Sequence, residues 1–223
     1  MSALWQFMSD PSNDFWGQTI AYLQLCGASI ALAIVIGVVL GIAVSRSAIL
    51  GFIAVNVSGI MRAIPIIAFL ILALPILGLG FLPSFVALVI LGIPPILLNT
   101  YTAIRGIDPA VIDAARGMGM TRWQIIGRIQ IPLIQAIVAA GIRTSAVQIT
   151  ASATLAAIIG AGGYGAYIID GLYRFNNIEI LAGAIPVSVL AMLVEGLMGW
   201  LQQALTPAGL RVQQQLSVTV AGV

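Results

Sequence analysis

The sequence predicts an all-α, polytopic membrane protein of about five transmembrane helices, and three observations predict it. Of 223 residues, 61% are hydrophobic and only 7% are charged, where a soluble domain carries about a quarter charged residues. With nine Arg, seven acids, no Lys and no His, and a mean hydropathy of +1.11, too little charge exists to solvate a globular surface. Apolar runs of roughly 20 residues, long enough to cross ~30 Å of hydrocarbon, recur along the chain. The alternation of a membrane β-barrel is absent, and backbone facing lipid must be hydrogen-bonded within its own segment, which leaves helices.

The elements follow in order. Residues 1–17 read as an extracytoplasmic segment. They hold Asp10 and Asp14 and no basic residue, the wrong start for a cleavable signal peptide. Trp5, Phe7, Phe15 and Trp16 suit an outer aromatic belt, with a disordered start as the alternative. The membrane domain covers 18–207. Its first span, about 18–44, contains Gly37 and Gly41 in GxxxG spacing, which favours close helix packing. Cys26, the only cysteine, reads as a small buried hydrophobe. The second span, about 63–77, is short and holds Pro65 and Pro75. A small loop at 78–82 leads to the third span, about 83–104. The fourth covers about 131–159 and the fifth about 178–205. Between them, 160–177 is a loop. Its stretch Gly160 to Gly165 fits G-x-G-x-x-G but follows a span rather than a β-strand, so it reads as a flexible outer turn and not a dinucleotide site. A tail, 208–223, closes the chain.

Arg placement sets the direction. With the N-terminus outside, Arg46, Arg62, Arg105, Arg116, Arg122, Arg128 and Arg211 fall inside and only Arg174 outside, with Arg143 in a span. The positive-inside rule therefore predicts N-out, C-in.

The largest interior insertion, 105–131, keeps helical signals. Asp108-Pro109 is an N-cap followed by Pro in the first helical position. Gly117 and Gly119 offer a stop, and Thr121 to Gln124 has capping-box spacing. A helix, a tight Gly turn and a second helix leading into the fourth span are expected. Val111, Ile112, Ile125, Ile126 and Ile129 are expected to pack inward. Ala114, Ala115, Gly117 and Gly119 would let another protein approach closely. A connector this long with its own structure serves as a docking surface, or as a helix pair lying on anionic lipid.

Asp113-Ala114-Ala115, Gly119, Ile129 and Ile131-Pro132 resemble the EAA loop of ABC importer permeases: E-A-A, three residues, G, nine residues, I, one residue, L-P. Asp stands for Glu and Ile for Leu. Arg62-Ala-Ile-Pro65 resembles the family's stretch before its second core span. The stretches "MRAIPIIAFLILALPILGLGFLP" and "GIRTSAVQITASATLAAIIGAGGYG" are similar to permeases for osmoprotectants such as glycine betaine, choline or carnitine. The resemblance implies a type I importer permease fold in the cell membrane. It implies that Asp113, Ala114, Ala115, Gly117 and Gly119 couple to a cytoplasmic ATPase. ATP and Mg would sit on that partner, and no cofactor on this chain. A second permease subunit and a separate extracytoplasmic substrate-binding protein would complete the assembly in the lipid bilayer. An amino-acid permease of methionine type is the alternative on the same architecture; a membrane scaffold that recruits an ATPase is the alternative of another class.

Within the spans, Arg143 is costly in lipid and requires a partner or water. It stands eleven residues past Pro132, about 16 Å at helical rise, and Glu195 lies ten before Leu205, about 15 Å from the same side. An Arg143–Glu195 ion pair between the fourth and fifth spans follows; a wet cavity or snorkelling is the other solution. Thr144, Gln148 and Ser152 form one polar stripe, with Asn99 a further candidate. A translocation pathway and interhelical hydrogen bonding both fit these residues. Catalysis by this chain lacks a basis: no His, no cysteine pair, no Walker Lys and no set of metal ligands. The scattered Arg residues form no basic stripe for nucleic acid.

Overall fold

A computed structural model describes residues 2–206, all of its regular elements being helical. The tail 208–223, and Arg211 with it, lie outside the described residues.

The chain begins with α1 (Ser2–Ser9) and a 3₁₀ turn (Pro11–Asn13). Asp10 caps that turn: its carboxylate accepts from the Ser12 N–H at 2.9 Å and the Ser12 hydroxyl at 2.7 Å. These bonds hold the Asp10 carboxyl below the usual carboxylate range. A helical start replaces the disordered alternative. Trp5 and Trp16 are exposed, whereas Phe7 and Phe15 turn inward against Tyr167. Of the four aromatics expected at an outer belt, only Trp5 and Trp16 are left free to serve in one.

α2 (Phe15–Ser45) has 31 residues, about 46 Å at helical rise. Cys26, Ser29, Ala33, Gly37, Gly41 and Ser45 line its buried face, one small residue per turn. They let it lie almost backbone to backbone on α5 (Phe81–Arg105). A Cβ at Gly37 would fall 2.8 Å from Ile96 Cβ, and one at Gly41 would fall 2.8 Å from Thr100 Cγ2. The third packing member is α8 (Ile131–Ser152). The three helices meet at Gly92, where an added Cβ would lie 2.6 Å from Ile149 Cδ1 and 3.0 Å from Ala33 Cβ. Pro94 and Pro95 remove two donors from the middle of α5. Side-chain bonds brace the same stretch at other carbonyls: Ser145 Oγ donates to the Gly92 carbonyl at 2.9 Å, and Asn99 Nδ2 to the Pro95 carbonyl at 2.8 Å.

The second span differs from expectation. A helix α3 (Ala48–Ala63) precedes α4 (Ile66–Leu77), and the two meet at 91°. Pro65 forces Ile64 into extended backbone, ψ 121°, and that breaks the rod. The expected span 63–77 is therefore the second arm of a bent pair. Asn56, Ser58 and Arg62 dilute the apolar residues of the first arm and mask it in the sequence. Among the described residues, four helical stretches are each long and apolar enough to cross a membrane, and the bent pair counted as one span makes five.

The fourth span tightens into 3₁₀ geometry over Ala153–Ile159. The loop expected at 160–177 contains a helix, α9 (Tyr164–Tyr173), which packs against α10 (Asn177–Leu205). Gly171 and Gly183 make the approach possible: added Cβ atoms would fall 2.7 Å from Ile180 N and Ile168 Cγ1 respectively. Outward faces of α2, α3, α4, α8 and α10 carry exposed Ile, Leu or Val, whereas the apolar side chains of α5 beyond Leu82 are enclosed by its neighbours; such apolar outer faces are expected where lipid rather than water is the solvent.

Candidate coupling surface and intramembrane ion pair

The insertion 105–131 folds by the local rules in its sequence. Asp108 Oδ1 accepts from the Ala110 N–H at 2.8 Å and starts α6 (Pro109–Gly117). Gly119, at φ +78°, ends it: the Met120 N–H reaches the Ala115 carbonyl at 3.2 Å and the Gly119 N–H the Arg116 carbonyl at 2.9 Å. That pair of bonds is the Schellman arrangement, with Gly at the left-handed position. Thr121 and Gln124 then form a reciprocal capping box, Gln124 Oε1 accepting from the Thr121 N–H at 2.8 Å. α7 (Arg122–Ile125) passes through a π-helical turn (Ile126–Gln130) directly into α8. The stretch Arg122–Ile159 is thus one helical rod of 38 residues, with α6 as a short crossbar at its end.

The crossbar presents Asp113, Ala114, Gly117 and Gly119 to the exterior. Asp113 and Arg116 form an exposed ion pair at 3.2 Å, worth less than about 1 kcal/mol in such a setting. Added Cβ atoms at Gly117 and Gly119 meet nothing within 4 Å. Two expectations need correction. Ala115 is fully buried, so it packs beneath the crossbar and is not offered to a partner. Val111 is exposed rather than inward, while Ile125 is buried and Ile112, Ile126 and Ile129 are half-buried. Met118 is 74% exposed, as a segment offering Arg, Gln and Met would have it, while Trp123, 80% exposed, is the residue sequence reading missed. A Trp in a polar connector was the available signal.

Sixteen residues up the rod from Gly127, Arg143 meets α10. Its Nε donates to Glu195 Oε1 at 2.9 Å, its Nη2 donates to the same oxygen, and its Nη1 donates to Gln202 Oε1 at 3.3 Å. Gly199 leaves room for the guanidinium, an added Cβ there lying 3.4 Å from Arg143 Cζ. Gln202 was not singled out, although it stands two turns from Glu195 on one face of α10.

The polar stripe sits at the edge of the packed face of α8. Thr144 is exposed and donates to its own Ala140 carbonyl at 3.0 Å. Gln148 and Ser152 are half-buried. Asn99 lies apart from that stripe, its Cβ against Gly141 and its amide spent on Pro95.

At the opposite end from the crossbar, α2 is latched to the glycine turn at 160–165. Gln18 Oε1 accepts from the Gly163 N–H at 2.6 Å, Tyr164 and Thr19 share a hydrogen bond at 3.0 Å, and the Tyr167 hydroxyl donates to the Asn13 carbonyl at 2.6 Å. The Tyr22 hydroxyl donates to the Thr150 carbonyl. The turn is pinned, with Gly160, Gly162 and Gly163 all at positive φ. Phe15, Tyr22, Tyr164 and Tyr167 fill this end with rings that are each under a tenth exposed and packed on one another. Among the described residues, no group of three or more His, Cys, Asp or Glu could hold a metal ion.

The site is thus framed by a helical rod long and apolar enough to cross a membrane, ending in an exposed crossbar. Residues 33–207 match the family of binding-protein-dependent transport system inner membrane components, and the chain belongs to that family. It is 40% identical over 211 residues to the carnitine transport permease protein OpuCB of Listeria monocytogenes, covering 95% of this chain and 97% of that one. It is 34% identical to the glycine betaine/carnitine/choline transport system permease protein OpuCB of Bacillus subtilis, covering 97% and 100%. The osmoprotectant import permease protein OsmW of Salmonella typhimurium is 33% identical, covering 92% and 98%. Among solved structures, an inward-facing form of the MetNI methionine ABC transporter superposes with a TM-score of 0.72 at 22% identity, over 84% of this chain and 94% of that one. This likeness establishes the type I importer permease fold. The chain is a multi-pass permease subunit of the cell membrane.

Proposed function

We propose that this subunit carries a small quaternary-ammonium compatible solute, of the carnitine, glycine betaine and choline class, into the cell by alternating access. ATP and Mg are handled by a cytoplasmic ATPase docked on the crossbar. A second permease, identical or related, and an extracytoplasmic binding protein complete the importer, with the N-terminus outside and the C-terminus inside. The observation that carries this reading is the continuity of Arg122–Ile159: a load applied at Asp113, Ala114, Gly117 and Gly119 passes into a single membrane rod. Arg143, Glu195 and Gln202 tie that rod to α10, so the two spans move together.

Gln148 supports a pathway on the same rod. Its half-buried amide has no side-chain hydrogen bond among the described residues, and an amide in that position faces either a wet passage or the second permease. The latched rings leave recognition of the cation to the binding protein, since a quaternary ammonium needs open aromatic faces. Methionine-type transport has the shared fold in its favour, but the relatives at 32–40% identity carry osmoprotectant names. Uptake of radiolabelled carnitine, glycine betaine, choline and methionine by the complete importer in proteoliposomes decides this. Uptake of the ammonium solutes and not of methionine is expected; methionine uptake alone overturns the substrate class.

A further inference from the structure

The inner ends of α2, α5 and α8 do not close on the crossbar. A cleft of about 650 Å³ opens between them, and its wall includes Arg46, Arg116 and Arg122 and no acidic residue. Arg46 ends α2, and neither it nor Arg122 has an ion-pair partner among the described residues; Arg116 has only the exposed Asp113. The rest of the wall is mainly isoleucine, Ile42, Ile131 and Ile134 among them. These three also line an adjoining trough of about 340 Å³, which continues along α2 to Val38 and along α8 to Val138 and Ile142. From Ile131 to Ile142 the trough rises about 16 Å at helical spacing, half the thickness of a bilayer's hydrocarbon.

We propose that this cleft binds one anionic phospholipid of the inner leaflet. Its phosphate lies among Arg46, Arg116 and Arg122, and an acyl chain lies in the trough between α2 and α8. Guanidinium groups suit a phosphate because they offer several donors in a fixed fork. Basic pockets between membrane helices at the cytoplasmic surface are suited to such headgroups. The shape selects an amphiphile: three cations at one mouth, then aliphatic walls running toward the bilayer centre. A free phosphate leaves the trough empty. The chain's own segment 207–223 brings a further cation, Arg211, and no acidic side chain, so its charge opposes the arginines. A lipid there fills the gap between the crossbar and the rods it moves. The inference is independent of which solute is carried.

The test is native mass spectrometry of the purified full importer with added phosphatidylglycerol or phosphatidylcholine. The wild type is expected to retain phosphatidylglycerol at least roughly tenfold better than phosphatidylcholine. Arg46→Gln combined with Arg122→Gln removes that preference. Ile134→Trp, which fills the trough and leaves the charges intact, removes retention of the lipid itself. Arg46→Lys with Arg122→Lys retains binding, and with Ile134→Trp it carries the test if the Gln variant does not assemble. Equal retention of both lipids overturns the proposal, as does full retention in the Ile134→Trp protein. Displacement of the lipid by millimolar inorganic phosphate assigns the arginines to a free anion and overturns it too. So does a photo-cross-linker at position 134 that captures residues 207–223 in place of lipid.

Discussion

Arg143 on α8 gives two hydrogen bonds to a single carboxylate oxygen of Glu195 on α10. The pair is half-exposed within the isolated chain, so its value comes less from its own attraction than from what its loss leaves behind. A charge left alone in a span is costly. Glu195→Leu and Arg143→Leu should each lower the melting temperature of the purified complex and the yield of assembled importer. The double substitution should recover part of both losses. If the double variant loses as much as the two single losses combined, the residues are not coupled.

Gly119 and Gly117 are neighbours with opposite requirements. Gly119 sits at φ +78° and Gly117 is helical, with open space around both. Gly119→Ala should destabilise the crossbar by about 1–2 kcal/mol through left-handed strain. Gly117→Ala should stabilise it by about 0.4–1 kcal/mol, because the backbone is already helical and the new Cβ meets nothing. Hydrogen exchange of the 109–120 amides measures both, with faster exchange expected for the first and slower for the second.

Gly37 marks where α2 touches α5, and Gly59 on α3 marks a surface with no neighbour within 4 Å. Gly37→Val should prevent accumulation of folded protein, because the added Cβ alone would fall 2.8 Å from Ile96 Cβ. Gly59→Val should leave expression and melting temperature close to wild type. Size-exclusion profiles of the two purified proteins check the contrast.

Gln148→Leu removes the amide on the rod. Loss of solute uptake with unchanged assembly and unchanged ATPase docking is expected for a pathway residue. Normal uptake removes Gln148 from the pathway, and failure to assemble moves it to the interface with the second permease.

How much of this could be read from residues alone varied with the range of the interaction that decides each feature. The crossbar was legible because its signals are local: the Asp108 cap, the Gly119 stop and the Thr121 capping box act within a few residues. Arg143 and Glu195 were legible as a pair because equal depth from a common surface leaves few partners in lipid. α3 was hidden because Ser58 and Arg62 lower its apolar content. α9 was hidden because what holds it lies outside it: Gly171 against Ile180 of α10, Gly183 of α10 against Ile168, and Tyr164 against Thr19. Ala115 shows the same limit in miniature. It sits in the motif with Asp113 and Ala114, but the helical turn points it inward, and only the packed structure decides which member of the motif a partner can touch.

The central claim is that the crossbar is the handle by which a cytoplasmic ATPase moves the α8 rod. The direct measurement is labelling of a Gly117→Cys protein with a membrane-impermeant maleimide. The native Cys26 is buried and gives little background. Labelling is expected in inside-out vesicles stripped of the ATPase, with protection when the ATPase is restored and no labelling from the outer face. Labelling from outside, or labelling unchanged by the ATPase, contradicts the account.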